Sequence, residues 1–421
     1  MKNWILLICL YFFTLPLFAQ VDKILDATIQ TVLIYPKGKP LALPVIGLNT
    51  QDELLIQFDD LSADYKQYYF TIELMDFHWK PVALNPFDYI RGLAQNNIRD
   101  YTISSIAQQP YYHYSFTFPN VASRPTKSGN YLMKVYRQGR SNELVFTKRF
   151  FVVEQEVPIT ASIQEPFDET ISKSHQKIQV QLDVKRIQLQ QPELLHVAVL
   201  QNTRYNDILI SNAPSFIRGN QLEYNADRDF IFPAGKESRW LDLQNLRFKT
   251  DRIATIQQLG YGSRIILKPD QSRSTLPYFT FRDLNGQFII SNTELIRSED
   301  QNDYAQVLFT YLTKNGEPFQ EKSLYLAGAL TGNALDTNAR MQWNPANKQY
   351  EKWLTLKQGY YSYNYILRAD QSPNPLHDFM WTEGDHWETE NSYTIFVYYR
   401  APGSRYDQII GYSSLNSTQN W

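Results

Sequence analysis

The chain has 421 residues, which is too long for one ordinary hydrophobic core and predicts two to four domains. Lys and Arg number 41 against 43 Asp and Glu, and no basic run occurs, so the sequence lacks the positive field that binds nucleic acid. The 29 tyrosines and 24 phenylalanines, against 5 methionines, favour strands over helices, because aromatic side chains pack well on pleated sheets. Disorder is excluded by the same composition.

The N-terminus is typical of a secretory signal peptide over residues 1–19. A short positive start, Met1-Lys2, precedes the apolar run Trp4–Phe18 and the small residue Ala19. An uncleaved membrane anchor is the alternative, although the run is short for a transmembrane span. The single cysteine, Cys9, lies inside this segment, so the mature chain is expected to have no disulfide, cysteine zinc site or cysteine nucleophile. These features predict export to the periplasm or beyond.

A first domain is predicted over residues 20–155. In Tyr112–Phe118 aromatic and polar residues alternate, which is the two-residue period of a half-buried strand. A proline- and asparagine-rich loop follows, and His78–Tyr89, with two prolines, is interpreted as a long connection with one helical turn. Seven or eight short strands favour an immunoglobulin-like sandwich. The further strand candidates are Thr31–Tyr35, Leu43–Ile46, Glu53–Phe58, Gln67–Met75, Tyr101–Ile106, Tyr131–Tyr136 and Leu144–Val153.

A second domain is predicted over residues 156–298. His175–Val184 alternates as a strand with one wet face, and Leu194–Gln201 is a more continuously apolar strand that we expect to be buried on both sides. Trp240–Thr250 alternates with one slip, which indicates a bulge. Asp283–Gly286 has the residues of a tight hairpin turn, which would join strands at Tyr278–Arg282 and Gln287–Ser291.

A third domain is predicted over residues 299–401, after a short polar linker. Residues 402–421 are predicted as a C-terminal tail, with a short ordered strand before a loose end. The fold class is therefore all-β, with three consecutive antiparallel β-sandwich domains of immunoglobulin-like and early-set-like type. The strand candidates of the third domain are Ala305–Tyr311, Lys322–Leu326, Tyr350–Leu356, Tyr360–Leu367 and Tyr393–Tyr399.

Two acidic segments contain metal-ligand residue types. His377 and His386 lie in one loop with Asp378, Glu383, Asp385 and Glu388, but their spacing fits no zinc pattern, and a solvated acidic loop is favoured. Asp59, Asp60 and Asp64 have oxygen ligands suited to calcium, but an ordinary turn with capping aspartates is favoured. The prediction is that the protein has no metal and no cofactor.

No sequence motif for catalysis is present. The chain has no Gly-x-Ser-x-Gly elbow, phosphate-binding glycine loop or dinucleotide fingerprint. A glycoside hydrolase with paired carboxylates stays an alternative, because such carboxylates are paired in space and not by their spacing in sequence. The prediction is a binding or structural protein and not an enzyme.

The third domain resembles early-set modules that bind storage polysaccharides, through its tyrosine-rich strand Gly359–Leu367. The positions that contact sugar in such modules are Asn333 and Asn364 here, so the resemblance implies the fold but not an aromatic sugar platform. Tyr361, Tyr363 and Tyr365 are interpreted as core residues. A periplasmic glycan-binding protein is the alternative function.

A series of motifs along nearly the whole mature chain resembles the type IX secretion system plug protein family. The resemblance implies a periplasmic protein, without small-molecule substrate or membrane span, that docks on the outer-membrane translocon barrel and closes its periplasmic mouth when no cargo carrier occupies it. Arg124, Pro125, Thr126, Lys127, Ser128, Gly129 and Asn130 are the family signature, interpreted as structural and not as a contact. The motifs are Thr31–Pro36, Phe58–Leu61, Asp64–Tyr69, Arg124–Tyr131, Phe216–Asn220, Leu356–Tyr361, Glu390–Ile395, Val397–Arg400 and Arg405–Asp407.

Overall fold

The computed structural model describes residues 22–62, 64–139, 143–187, 189, 191–293, 300–370 and 377–420. The predicted signal peptide and Cys9 lie outside the described residues. Within them the regular secondary structure is almost entirely β-strand, which confirms the predicted all-β class. Helical structure in the described ranges is confined to short turns. These are α1 (Pro86–Tyr89) and the 3-10 turns Pro192–Leu194, Tyr205–Asp207, Ala329–Thr331 and Ser417–Asn420.

The described residues of the first third of the chain form eleven strands, nine of which build the first sandwich. One sheet has the order β1-β3-β8-β7 and the other β2-β11-β10-β4-β6, while β5 and β9 pair as a separate ribbon. Aromatic rings from both sheets meet in the core, where Phe58 lies 4.9 Å from Tyr114 and 5.1 Å from Phe146 between ring centroids. The strands are β1 (Ile29–Pro36), β2 (Val45–Gly47), β3 (Leu54–Asp60), β4 (Tyr68–Met75), β5 (Ile90–Gly92), β6 (Gln95–Ile98), β7 (Tyr101–Ile103), β8 (Tyr112–Phe118), β9 (Ser123–Pro125), β10 (Gly129–Arg137) and β11 (Glu143–Val153).

The next segment supplies most of a second sandwich. One sheet has the order β12-β13-β17-β16, with β18 also paired to β13, and a second sheet begins with β15-β14. Ile178, Val180 and Leu182 are buried on alternate positions of β13, and β14 is buried on both faces, as the two patterns predicted. The strands are β12 (Ile159–Gln164), β13 (His175–Asp183), β14 (Leu195–Gln201), β15 (Leu209–Ser211), β16 (Phe216–Arg218), β17 (Gln221–Tyr224) and β18 (Ile231–Pro233).

The third sandwich follows directly. One sheet is built on the long strand β28, which pairs with β19, β23 and β25, and the other has the order β20-β21-β24-β27-β26, with β22 beside β24. Phe309 of one sheet and Tyr363 of the other meet at 5.2 Å between ring centroids. The strands are β19 (Arg239–Asp242), β20 (Ile253–Gln258), β21 (Ser263–Leu267), β22 (Asp270–Gln271), β23 (Phe288–Ile290), β24 (Tyr304–Leu312), β25 (Lys322–Ala327), β26 (Gln342–Asn344), β27 (Gln349–Lys357) and β28 (Gly359–Ala369).

The last two strands return to the second sandwich. These are β29 (Ser392–Tyr399) and β30 (Gln408–Asn416), which complete the sheet β15-β14-β29-β30. Their side chains Ile395, Val397 and Ile410 join the core formed by β12–β18. The third sandwich is therefore inserted into the second, and the three units are not consecutive.

This topology corrects the domain limits predicted after residue 155. Residues 239–290, assigned to the domain 156–298, pair within the third sandwich, and residues 392–399, assigned to the domain 299–401, pair with β14. The predicted tail 402–421 contains the expected strand, β30, but this strand has nine residues and pairs with β29 in the second sandwich. Sequence cannot reveal such an insertion, because strands of either sandwich show the same alternation and the polar stretch near residue 298 resembles any linker.

Two local predictions in this region are also wrong. The turn Asp283–Gly286 forms, with the Gln287 N–H donating to the Leu284 carbonyl at 2.9 Å, but residues 278–282 form no strand. Instead β23 pairs with β28. The strand predicted over Trp240–Thr250 ends at Asp242. Turn chemistry fixes the local bend but does not choose the strand that will pair after it.

An apolar junction joins the first and second sandwiches. Phe151 and Val153 on β11 pack against Ala198 on β14 and Phe396 on β29, all of them buried. The rings of Phe151 and Phe396 stack with centroids 4.4 Å apart. Because each ring lies on the outer face of its own sandwich, the two outer faces together make a further small core.

We expect Phe396→Ala to destabilise the protein by about 3–5 kcal/mol, because it leaves a cavity between two packed sandwiches. Chemical denaturation followed by tryptophan fluorescence measures the free energy of unfolding. The control is Phe216→Ala on β16, where the side chain is 52% exposed and we expect a change within about 0.5 kcal/mol. An equal loss of unfolding free energy in the two variants would contradict a stabilising role of the apolar junction.

Candidate functional site

A buried charged cluster lies where the first and third sandwiches meet. The carboxylate of Asp59, on β3, is fully buried. Its Oδ2 accepts hydrogen bonds from Lys357 Nζ at 2.6 Å and from the Tyr304 hydroxyl at 2.5 Å. Its Oδ1 accepts from His113 Nδ1 at 2.7 Å. Since Lys357 ends β27 and Tyr304 begins β24, this carboxylate connects the two sandwiches.

The electrostatics of the cluster keep Asp59 ionised. Burial by itself raises the pKa of this carboxyl, but the Lys357 ammonium and His113 outweigh burial and hold the pKa below its ordinary value of 3.8. The ammonium also lies 4.6 Å from the Tyr111 ring centroid. A charge pair this deeply buried is costly to break, because either partner alone would be an uncompensated ion.

Further hydrogen bonds extend this contact. Thr31 Oγ1 lies 2.6 Å from the Tyr304 hydroxyl, the Tyr111 hydroxyl donates to the Asn302 carbonyl at 2.8 Å, and the Gln108 N–H donates to Asp303 Oδ1 at 2.5 Å. A cavity of about 60 Å³ lies beside the cluster, lined among others by His113, Phe288 and Lys357. Pockets for drug-sized ligands have roughly 300–1,000 Å³. The contact between these sandwiches is therefore a packed interface.

We expect Asp59→Asn to destabilise the protein by about 3–5 kcal/mol at pH 7, because Lys357 is left buried without its counter-charge. Since the native pKa of Asp59 lies below its unfolded value, the pair stabilises above about pH 4 and this contribution is lost as pH falls through the native pKa. The gap between wild type and variant should therefore narrow on acidification. Unfolding free energies from pH 7 to 3 test this.

The control for this prediction is Glu53→Gln, which removes an exposed ion pair with Lys37 at 2.9 Å. We expect a change below about 1 kcal/mol, because exposed pairs gain little. A constant gap between wild type and Asp59→Asn across this pH range would contradict an ionised Asp59.

Six of the seven signature residues, Pro125–Asn130, are buried or contact other parts of the protein. Lys127 lies over the Tyr406 ring at 4.9 Å, Ser128 Oγ donates to Glu154 Oε2 at 2.7 Å, and Asn130 Oδ1 accepts from the Tyr398 hydroxyl at 2.9 Å. Pro125 is buried on β9, and the Thr126 N–H donates to the Tyr89 carbonyl at 2.9 Å. Because Tyr398 and Tyr406 belong to the returning segment, the signature lies at the junction of the first and second sandwiches.

Gly129 shows why this junction requires a residue without a side chain. Its φ is +143°, and a Cβ there would lie 2.9 Å from the Asp407 carbonyl oxygen and 3.0 Å from Leu74 Cδ1. The backbone of the first sandwich thus approaches that of the second directly. The sequence pattern Ser-Gly-Asn therefore has a steric reason at this position.

We expect Gly129→Ala to lower the free energy of unfolding by about 1–3 kcal/mol, through backbone strain and the contact with Asp407. Thermal unfolding measures the effect. Gly139→Ala is the matched control, because nothing lies within 4 Å of a Cβ at Gly139 and its φ lies outside the left-handed range. If Gly139→Ala were as destabilising as Gly129→Ala, replacement of any glycine would explain the effect, and the close contact at Gly129 would not.

The remaining signature residue, Arg124, is exposed. It lies on β9 directly opposite Arg91 on β5, which sequence analysis did not single out. Prediction of β5, a three-residue strand after a helical turn, would have been needed to place the two arginines together. The contact of Lys357 and Tyr304 with Asp59 could not be predicted from sequence either. Some 250 to 300 residues separate them from Asp59 along the chain, and no local sequence pattern marks the contact.

The acidic segments do not gather around one point. His377 Nδ1 bonds to Asp207, His386 stacks on Tyr278 at 5.0 Å, and Glu383 pairs with Arg239 at 3.1 Å. Asp60 binds Lys66 at 3.0 Å, apart from Asp59 and its partners. Within the described ranges no group of three or more His, Cys, Asp or Glu side chains is arranged to hold a metal ion.

The tyrosines of β28 point into the protein. Tyr361, Tyr363 and Tyr365 are at most 2% exposed. The Tyr363 and Tyr365 hydroxyls both donate to Asp270 Oδ2, at 2.8 and 3.0 Å. Asn364 is buried as well and donates to Ser238 Oγ. These side chains form no exposed surface on which a sugar ring could stack.

The fold and these interfaces define a multi-domain all-β protein whose three sandwiches contact one another through buried polar and apolar surfaces. Residues 29–154 match the family model described as "Type 9 secretion system plug protein 1st domain". This match, over the first sandwich, is to the type 9 secretion system plug protein family that the motif series predicted. This is a family of secretion-system plug proteins and not an enzyme family.

The chain is also similar to a hypothetical protein from Parabacteroides merdae ATCC 43184, known from a crystal structure at 2.30 Å. The TM-score is 0.90 and the identity 29%, over 95% of this chain and 100% of that one. BcpA, the major pilin subunit of Bacillus cereus, is 10% identical over 51% of this chain and 61% of its own, with a TM-score of 0.16 that carries no argument. No curated protein matches the chain.

Proposed function

We propose that this protein is a periplasmic plug of the type IX secretion system. It binds the periplasmic mouth of the outer-membrane translocon barrel and seals the pore when no cargo carrier occupies it. The observation that carries the proposal is the match of residues 29–154 to the plug family. Its motif series continues into the second and third sandwiches, so the proposal covers the whole mature chain.

The architecture supports this function physically. A plug must resist deformation across a wide opening, and here the first sandwich is fixed to the second by the Phe151–Phe396 stack and to the third by Asp59 and Lys357. Blocking by shape requires no reacting group. It requires a stiff body and a surface that binds the rim without becoming permanent, which favours a modest interface.

Location is part of the same proposal. We infer a periplasmic protein held at the outer membrane through the translocon. Among the described residues no helix has the length and apolarity to cross a bilayer.

Affinity purification of the tagged full chain from detergent-solubilised outer membranes tests the proposal. The translocon barrel should co-purify, and cells lacking the protein should take up a small hydrophilic dye faster, because the mouth of the barrel is open. Wild-type protein supplied in trans should restore the barrier. Absence of the barrel from the purified material, together with unchanged dye uptake, would contradict the proposed function.

A further inference from the structure

The ribbon formed by β5 and β9 presents two positive charges at one place. Arg91 and Arg124 are directly opposite in the antiparallel pair, and both side chains are exposed. Opposite residues of such a pair have Cβ atoms about 5 Å apart, so like charges there repel each other. The pairing of two arginines therefore costs the ribbon some electrostatic energy.

Within the described ranges the side chains of Arg91 and Arg124 have no ion pair, hydrogen bond or ring contact, and the two residues interact only through their backbones in the ladder. The nearest acidic residue along the chain, Asp88, uses its carboxylate to accept the Asn85 N–H at the start of α1. The guanidinium groups are therefore open to a partner.

Exposed apolar side chains lie at the tip of the ribbon, next to the two arginines. The Leu93 N–H donates to the Ala122 carbonyl at 2.8 Å, which extends the pairing by one step. Leu93 is 58% exposed, and Val121, in the turn beyond it, is 99% exposed. Leu93 comes two residues after Arg91, directly beyond the end of β5. The arginine ribbon, residues 90–93 and 121–125, thus combines an apolar tip with two cations.

The arginine ribbon is held rigidly. Ile90 and Pro125 on its inner face are buried. At the tip, Asn120 Oδ1 accepts from the N–H groups of Ala122 and Ser123, both at 3.0 Å. A Cβ at Gly92, whose φ is +101°, would lie 2.1 Å from the Ala122 carbonyl oxygen, so the two strands approach closely there. A preformed projection of this kind loses little conformational freedom on binding.

We propose that the arginine ribbon is the anchor by which this protein docks on an acidic protein surface with an apolar recess. This inference rests on the proposed function, which identifies that surface as the periplasmic rim of the translocon. Carboxylates of the rim pair with Arg91 and Arg124, and the recess takes up Leu93 and Val121. Arginine is suited to this role, because its planar guanidinium binds carboxylates with two hydrogen bonds.

Binding of the full chain to purified translocon that lacks the plug tests the proposal. We expect Arg91→Glu/Arg124→Glu to raise the Kd about tenfold or more, and Arg91→Gln/Arg124→Gln to raise it less and to weaken its dependence on salt. The matched control is Lys185→Glu/Arg186→Glu, an equal charge change at two adjacent exposed residues of the second sandwich, which should leave the Kd within about twofold. The melting temperatures of all variants should equal that of wild type.

The outcomes separate the two proposals. If wild type binds and the ribbon variants bind equally well, the arginine ribbon is not the anchor and the plug function stands. If wild type fails to bind the translocon at all, the plug function fails and the ribbon inference fails with it. Binding of the same variants to vesicles of phosphatidylglycerol tests whether the ribbon binds lipid. Loss of vesicle binding in the ribbon variants, with translocon binding unchanged, would assign the ribbon to lipid and overturn an acidic protein partner.

Leu93→Ser and Val121→Ser test the apolar tip. Both side chains are exposed in the free protein, so the variants should fold normally. We expect each to weaken translocon binding several-fold, with the salt dependence unchanged. Unaltered affinity in both would overturn the recess as part of the docking surface.

Discussion

The buried ion pair of Asp59 and Lys357 is the constraint on which the placement of the third sandwich against the first depends. Such a pair contributes little net stability compared with an apolar contact, but it fixes one arrangement, because any sliding would leave two buried charges unpaired. Tyr304 and His113 occupy the remaining acceptor sites of the carboxylate. The interface is therefore defined by polar geometry, in contrast to the apolar junction of the first and second sandwiches.

Each sandwich contacts both of the others, and the contacts differ in chemistry. Phe151 and Phe396 join the first and second by ring stacking, while Asn333 Nδ2 and the Thr203 carbonyl, 3.2 Å apart, connect the third with the second. A closed set of three interfaces resists hinge motion better than a row of domains joined by linkers, since no single interface can open alone. This stiffness is the property that a blocking function needs.

Sequence patterns were informative where structure is local. The alternation in Tyr112–Phe118 and the apolar run Leu194–Gln201 predicted β8 and β14, and two prolines marked the connection that holds α1. Patterns could not show which distant strands pair, so the partner of β14 and the role of β30 were missed. For the same reason Lys357 was not seen as the partner of Asp59, and Arg91 was not seen opposite Arg124. The family signature was found from its motif, but its location at a junction required the folded chain.

The insertion of one sandwich into another sets an order of assembly. Leu195 pairs with Tyr399, about 200 residues further along, so the sheet of the second sandwich stays incomplete until nearly the whole chain has been synthesised. The inserted unit can fold first, and its own closure brings β18 and β29 near each other. Once the inserted sandwich has folded, it acts as a short connection between β18 and β29, which lowers the entropic cost of pairing β29 with β14. Truncated chains that end before residue 392 would lack β29, so the edge of β14 that pairs with it would be exposed and prone to aggregation.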